Sequence, residues 1–226
     1  MIDELSALSE SELYPFHMPG HKRRSLRDLL KPDSEDADSI GKEQQYKGYW
    51  LDEVYAHDIT EIDGFDDLQK PDGIIADIEK RIAAYYDTDK AFLLVNGSTC
   101  GNLSSISALV PHSGRLLMDE GCHRSVYNAV EICELTAIYL ERKIVPASGL
   151  TACISPDEIE KKLSEAKAKD MLPDAVLITS PTYEGFIADT DSIADMVHSY
   201  DIPLIVDGAH GAHLPVCKGA DVTVVS

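Results

Sequence analysis

The chain has few basic residues for its length. Its 226 residues include 20 lysines and arginines against 40 aspartates and glutamates, which gives a formal net charge of −20. The acidic excess is spread along the chain rather than held in a tail. A chain with this balance repels phosphate backbones, so we expect no nucleic-acid partner. The same balance is compatible with a cationic small molecule as a substrate.

Long apolar runs and paired cysteines are also missing. No apolar stretch approaches the ~18 residues that span a bilayer. The N-terminus lacks the basic start and apolar run of a signal peptide. The five cysteines are odd in number and contain no C-x-x-C pair, which favours free thiols over a disulfide framework. We therefore expect a cytoplasmic protein without a membrane partner.

Two regions of different character divide the chain near residue 70. Residues 1–70 are rich in charge and turn signals and show little long helical periodicity, which indicates an arm rather than a domain. From Pro71 onward, apolar residues recur first at helical spacing and then in short runs typical of buried strands. We predict an N-terminal arm in residues 1–70 and a folded domain in residues 71–226.

The second region alternates strands with helices. The predicted strands are 91–95, 115–118, 137–140, 175–179, 203–206 and 222–225. The predicted helices lie near 101–110, 123–134, 156–169 and 190–200. This alternation implies right-handed crossovers and a mainly parallel sheet with helices on both faces, a three-layer α/β/α fold. Ligands of such sheets gather at the carboxyl ends of the strands.

A glycine turn lies between the first predicted strand and the helix that follows it. Gly97 lets the backbone approach an anion closely. The hydroxyls of Ser98 and Thr99, with the free N–H groups of the helix start, can hold a phosphate. An ordinary strand-to-helix turn is the alternative, because the segment is neither a Walker loop nor a G-x-G-x-x-G motif.

Polar residues follow three later strands of the predicted sheet. His123 can stack on a ring or simply cap the next helix. Thr182 can reach a cofactor hydroxyl or belong to a turn led by proline. Asp207 ends a buried strand, where its carboxylate needs a partner such as a protonated pyridine nitrogen or nearby backbone N–H groups. The small Ala209 can lie flat beneath such a ring, and His210 follows it.

Together these motifs make the chain resemble the fold-type-I pyridoxal-phosphate (PLP) enzymes, and within them the ornithine/lysine/arginine decarboxylase family. The resemblance covers nearly the whole chain from about Tyr14. The segments that carry it, in order, are Phe16–Lys22, Asp58–Leu68, Asn96–Thr99, His123–Ser125, Ser180–Gly185 and Asp207–His213.

This resemblance implies a lyase that uses PLP to decarboxylate lysine, arginine or ornithine, yielding a polyamine or its precursor. It implies that Ser98 and Thr99 bind the phosphate, that His123 stacks on the pyridine ring and that Asp207 binds the ring nitrogen. His210 would lie beside the cofactor. The arm would lie against a partner subunit, with the active site at the interface of a homodimer or larger homo-oligomer.

The predicted site follows from these roles. The predicted catalytic residues are His123, Asp207 and His210. The predicted cofactor-binding residues are Gly97, Ser98, Thr99, His123, Thr182, Asp207, Ala209, His210 and Ser226. No metal is predicted.

The end of the chain carries a further expectation. In this family the lysine that forms the Schiff base with PLP belongs to a Ser-x-His-Lys run, and Ser226 would be the serine of that run. Lys218 precedes the last predicted strand and is not the equivalent residue. We therefore expect the Schiff-base lysine to be absent, the domain to be incomplete at its C-terminus, and this fragment alone to be inactive.

Three alternatives remain open at this point. The chain could be a non-catalytic fragment, or a module that holds PLP without a covalent bond. It could be another fold-type-I PLP enzyme, an aminotransferase or a different lyase. It could also be a metallohydrolase, since Asp207 with His210 and His213 is a tolerable set of metal ligands.

Overall fold

The computed structural model describes residues 7–8, 54–62, 64–214 and 219–226. The chain divides into two compact units, Met1–Arg81 and Ile82–Ser226. Most of the predicted arm lies outside the described residues, as does the segment Phe16–Lys22. The predicted boundary at residue 70 therefore stays a prediction.

Asp66 organises the turn that leads into helix α1 (Ile74–Tyr86), which begins in the first unit and ends in the second. Its carboxylate accepts hydrogen bonds of 2.8 to 3.1 Å from four backbone N–H groups in Asp72–Ala76. Desolvation acts to raise the pKa of Asp66, but these hydrogen bonds outweigh it and hold the pKa well below its usual range. The side chain thus satisfies N–H groups that the start of a helix leaves free.

The second unit contains a parallel sheet, which confirms the predicted fold class. Its strands are β1 (Arg115–Asp119), β2 (Thr136–Leu140), β3 (Ala175–Thr179), β4 (Leu204–Asp207) and β5 (Val222–Val224). Their order is β2-β1-β3-β4-β5, and every neighbouring pair is parallel. All five strands therefore end at the same edge, which we call the carboxyl edge.

Helices connect the strands and begin close to where the sequence predicts. They are α2 (Gly97–Leu109), α3 (Arg124–Ile132), α4 (Pro156–Ala168) and α5 (Thr190–His198). Ser155 caps α4, with proline in its first position and two acidic residues in its first turn. Such a start satisfies free N–H groups and complements the helix dipole. Asp189 caps α5 in the same way, through the N–H of Ser192.

Alternate residues of the strands pack against opposite layers of helices. On one face, Leu116 and Leu177 join Ile106 of α2 and Val126 of α3 in a buried cluster. The other face buries Leu117, Ile178 and Val206 against Ile159 of α4 and Ile193 of α5. The sheet is therefore the middle of three layers, because strand side chains alternate in direction and both faces are apolar.

The predicted strand 91–95 is wrong. This segment has no strand pairing in the structure, and Phe92, Leu94 and Val95 are 65%, 46% and 61% exposed. A strand exists only with a hydrogen-bonded neighbour, and the described sheet ends at β5. An apolar run predicts burial but does not supply that neighbour, so the segment leads into α2 without joining the sheet.

Of the helices that the structure describes, none has both the length and the apolar character needed to cross a bilayer.

Candidate active site

Helix α2 begins at Gly97, four residues before the predicted start at residue 101. Asn96 and Gly97 both have positive φ, 68° and 66°, so the chain turns sharply just ahead of the helix. No side-chain hydrogen bond caps this end. Gly97, Ser98 and Thr99 therefore form a first turn with free N–H groups at the positive end of the helix dipole, an arrangement that suits an anion.

Asp207 ends β4 at the carboxyl edge and is only 3% exposed. Its Oδ2 accepts a 2.9 Å hydrogen bond from Asn102 Nδ2, and its Oδ1 accepts one of 3.3 Å from the N–H of Ala209. Within the described part of the chain, no basic side chain forms an ion pair with it. Buried carboxylates are normally paired with a positive charge, so a cationic ligand would supply the countercharge that the described residues do not give Asp207.

Asn102 joins the predicted residues into one network. Its Nδ2 also donates to Ser125 Oγ at 2.9 Å, and that hydroxyl lies 2.9 Å from His123 Nδ1. His123 caps α3 by accepting from the N–H of Ser125 at 3.2 Å. The structure thus brings His123 and Asp207 together through two side chains that the sequence reasoning missed. The sequence offered one signal for Asn102, because this polar residue lies one helical turn before the apolar Ile106 of α2, which is buried.

Two buried polar atoms beside Asp207 have no hydrogen-bond partner among the described residues. They are Asn102 Oδ1 and Thr179 Oγ1. Thr179 is the register partner of Asp207, so the two side chains lie on the same face of the sheet. An unpartnered buried polar atom costs about 1–3 kcal/mol. Two such atoms beside a buried carboxylate indicate a place that a polar ligand completes.

The loop after β3 holds Thr182, which is fully buried. Its Oγ1 accepts from the N–H of Phe186 at 3.2 Å, and its own N–H donates to the carbonyl of Phe186 at 2.8 Å. The pKa of Glu184 is lowered by a hydrogen bond from the backbone N–H of Glu184 itself and by one from the Thr182 side chain. Thr182 therefore closes its own loop, and its contact with a cofactor stays a prediction.

His210 lies in a short 3-10 helix, Ala209–Gly211, directly after Asp207. Its exposed ring is 5.6 Å from the ring of Tyr183, at an angle of 49°. Tyr183 is itself 87% exposed. The structure thus brings His210 to the loop after β3 at the carboxyl edge.

Ser226 lies two residues beyond β5, which ends at the same edge as β4. The N–H of Gly208 donates to the carbonyl of Val224 at 2.8 Å, which ties the turn after Asp207 to the end of β5. The cofactor contact of Ser226 stays a prediction.

The metal alternative receives no support from the geometry. In the part of the chain that the structure describes, no three His, Cys, Asp or Glu side chains are arranged to hold a metal ion. Asp207, His210 and His213 therefore do not come together as a ligand set.

A buried ion pair that the sequence analysis did not predict holds the turn before His123 in place. Arg142 donates two hydrogen bonds of 2.7 Å to Asp119, at the end of β1. Desolvation acts to lower the pKa of Arg142, but its hydrogen bond and attraction to Asp119 outweigh this and raise it. The Asp119 carboxylate also accepts from the N–H groups of Gly121 and Thr179. The pair thus ties the turn before His123 to the end of β3.

These features define a class of protein: a three-layer α/β domain whose parallel sheet carries a candidate ligand site at its carboxyl edge. The structure of the Escherichia coli constitutive lysine decarboxylase has the same fold, with a TM-score of 0.72 and 21% sequence identity. That similarity covers 94% of this chain and 29% of the decarboxylase chain.

The family follows from the sequence itself. The family model described as "Orn/Lys/Arg decarboxylase, major domain" matches residues 1–218. The chain therefore belongs to this family of basic amino acid decarboxylases. It is 32% identical over 224 residues to the uncharacterized protein YaaO of Bacillus subtilis, covering 94% of this chain and 42% of YaaO. It is 28% identical over 200 residues to an arginine decarboxylase of Bacillus anthracis, covering 88% of this chain and 36% of that enzyme. The chain spans less than half the length of these relatives.

Proposed function

We propose that this chain carries the PLP-binding part of an enzyme that decarboxylates a basic amino acid, namely lysine, arginine or ornithine. Membership of the decarboxylase family supports the reaction class. The arrangement at the carboxyl edge supports the cofactor. The net charge of −20 supports a cationic substrate, because a negative protein raises the local concentration of cations.

The buried, uncompensated carboxylate of Asp207 is the observation that carries the proposal. Asn102 binds this carboxylate at 2.9 Å and lies three to five residues after the uncapped turn Gly97–Thr99. At about 1.5 Å of rise per residue, that turn lies about 5–8 Å from Asn102, toward the N-terminus of α2. An anion site and a site for a protonated nitrogen therefore lie within the reach of one small ring compound that carries a phosphate.

Each residue then has a physical role. The first-turn N–H groups with the Ser98 and Thr99 hydroxyls bind the phosphate. Asp207 holds a proton on the ring nitrogen, because its buried charge favours a cationic neighbour. The exposed ring of His123 lies against the coenzyme. When bound, PLP supplies the electron-withdrawing ring that accepts the electron pair of the broken carbon–carboxylate bond.

The first test measures PLP binding to the purified protein. PLP dissociation constants are measured by fluorescence for the wild type and for Asp207→Asn, with Asp195→Asn on the exposed face of α5 as a matched control. We expect binding at least about tenfold weaker in Asp207→Asn, because a charge-assisted contact is lost. Asp195→Asn keeps the wild-type affinity.

Substrate class is tested separately, by carbon dioxide release from lysine, arginine and ornithine with the enzyme of which this chain carries the PLP-binding part. Release from one of the three and not from glutamate supports the proposal. A wild type that binds no PLP contradicts it, as does an Asp207→Asn variant with unchanged affinity.

A further inference from the structure

Asn102 occupies the centre of the candidate site although the sequence analysis assigned it no role. It is 1% exposed and lies in the second turn of α2. Its Nδ2 donates one proton to Asp207 Oδ2 and the other to Ser125 Oγ, both at 2.9 Å. The amide therefore uses its full donor capacity on two elements, β4 and α3.

The orientation of this amide follows from the charge of its neighbour. A carboxylate oxygen only accepts, so Asn102 must present its NH₂ group to Asp207. The reversed amide would place two oxygens 2.9 Å apart inside the protein, which is repulsive. Asn102 Oδ1 then points elsewhere, and it has no hydrogen-bond partner among the described residues.

The direction of each proton along the network can then be assigned. Ser125 Oγ accepts from Asn102, so its own single proton is available to His123 Nδ1, 2.9 Å away. The backbone N–H of Ser125 donates to the same nitrogen. Since His123 Nδ1 accepts, it carries no proton, and the neutral ring is protonated on Nε2.

We propose that Asn102 is a positioning residue of this site, which orients the carboxylate of Asp207 and, through Ser125, fixes His123 in its Nε2–H form. The part of this inference that concerns PLP rests on the proposed function. A neutral imidazole suits the coenzyme site, because a protonated ring would repel the pyridinium that Asp207 stabilises. The amide of Asn102 thus orients both residues that are predicted to contact the coenzyme ring, Asp207 and His123.

The first experiment needs no cofactor. Long-range ¹H–¹⁵N NMR on the ¹⁵N-histidine-labelled protein reads which ring nitrogen of His123 carries the proton. We expect the Nε2–H form in the wild type and a changed Nδ1 chemical shift in Asn102→Ala, because the Ser125 hydroxyl is no longer oriented. Asn128→Ala, on the exposed side of α3, is the matched control and keeps the wild-type shifts. A protonated Nδ1 in the wild type, or identical shifts in Asn102→Ala, overturns the inference.

The second experiment asks whether Asn102 acts through Asp207. PLP dissociation constants are measured for Asn102→Ala, Asp207→Asn and the double variant. We expect Asn102→Ala to weaken binding by about tenfold, the effect of one hydrogen bond to a charged group. In the Asp207→Asn background the same change should have less than about a twofold effect, since the positioned charge is already gone. A merely structural role gives additive losses, which would overturn the inference.

The two experiments separate this inference from the proposed function. A wild type that binds no PLP defeats the proposed function and, with it, the role of Asn102 toward the coenzyme. The NMR result still decides whether Asn102 controls His123, because it is obtained without PLP.

Discussion

Arg142 and Asp119 form a two-point ion pair in which the side chains are only 6% and 0% exposed. Both hydrogen bonds measure 2.7 Å. A β-carbon added to Gly121 would lie 2.5 Å from Arg142 Cζ, so the guanidinium lies directly under the turn that leads to His123. The pair therefore links the end of β1 to the segment after β2 and fixes the position of the turn that leads to His123.

Breaking this pair from one side should be costly. Arg142→Met leaves Asp119 buried without its countercharge, and we expect the free energy of unfolding to fall by about 3–5 kcal/mol. Lys80→Met is the control, because Lys80 and its ion-pair partner Asp77 are 76% and 75% exposed. In this control variant the free energy of unfolding should fall by less than about 1 kcal/mol. Urea unfolding measures both, and equal losses would show that burial of the Arg142 pair has no special weight.

Gly101 should not tolerate alanine although it lies within a helix. Replacing a helical glycine with alanine ordinarily gains about 1 kcal/mol. Here the new β-carbon would lie 2.6 Å from Val224 Cγ1, a stiff branched side chain of β5. We expect Gly101→Ala to destabilise the protein by about 1–3 kcal/mol, since overpacking outweighs helix propensity.

The partner substitution decides whether that contact is the cause. In a Val224→Ala background, the penalty of Gly101→Ala should shrink by at least about 1 kcal/mol, because the clashing methyl group is gone. Denaturant unfolding of the four proteins gives the coupling. Additive effects would mean that α2 does not depend on close packing against β5.

Cys122 should make the protein sensitive to alkaline pH. Burial, with repulsion from Asp119 and Asp207, raises the pKa of the Cys122 thiol to about 12. The unfolded chain ionises this thiol near pH 8.5, whereas the folded chain keeps it protonated. The stabilising effect of the bound proton is complete below the unfolded value and is lost as pH rises toward 12, at up to about 1.4 kcal/mol per pH unit.

The measurement is the difference in unfolding free energy between the wild type and Cys122→Ala at several pH values. The difference should be constant up to about pH 8 and should then move steadily in favour of the alanine variant. If the unfolding free energies of the two proteins change in parallel up to pH 11, burial does not raise the pKa of the Cys122 thiol.

Asp66 should control the start of α1. Its folded-state pKa lies below the usual range, so its stabilising effect is present above the unfolded value near 4 and is lost as pH falls through the folded value. Asp66→Asn should speed hydrogen exchange of the amides in Asp72–Ala76, which its carboxylate binds. Asp77→Asn, an exposed acid in the first turn of the same helix, is the control. Equal exchange in both variants would assign the protection to the helix backbone alone.

Much of the fold was predictable because its signals are local. Each strand β1 to β5 is a short apolar run, and each predicted run lies within one residue of the observed bounds. The cap at Ser155 combines a hydroxyl, a proline and acids in adjacent positions. The run 91–95 has the same local signal and is not a strand, because pairing depends on residues elsewhere in the chain.

The candidate site was predictable in part. Asp207, His123 and the turn at 97–99 each follow the end of a strand or begin a helix, which sequence patterns indicate. Position alone does not single out Asn102, Ser125 and Arg142, although Ser125 lies in the first turn of α3 and Arg142 lies two residues after β2. Asn102 lies mid-helix, Ser125 lies beside a more conspicuous histidine, and the partner of Arg142 is 23 residues away. Their roles come from which elements become neighbours.

By itself, the sequence determined the strand and helix pattern, the acidic charge and the residues at each strand end, because these depend on neighbours within a few positions. Only the tertiary structure decided that Asn102 reaches both Asp207 and Ser125, that Arg142 neutralises Asp119, and that Gly101 lies against Val224. Such contacts depend on strand order and helix packing, where a shift of one residue turns a side chain to the opposite face of the sheet.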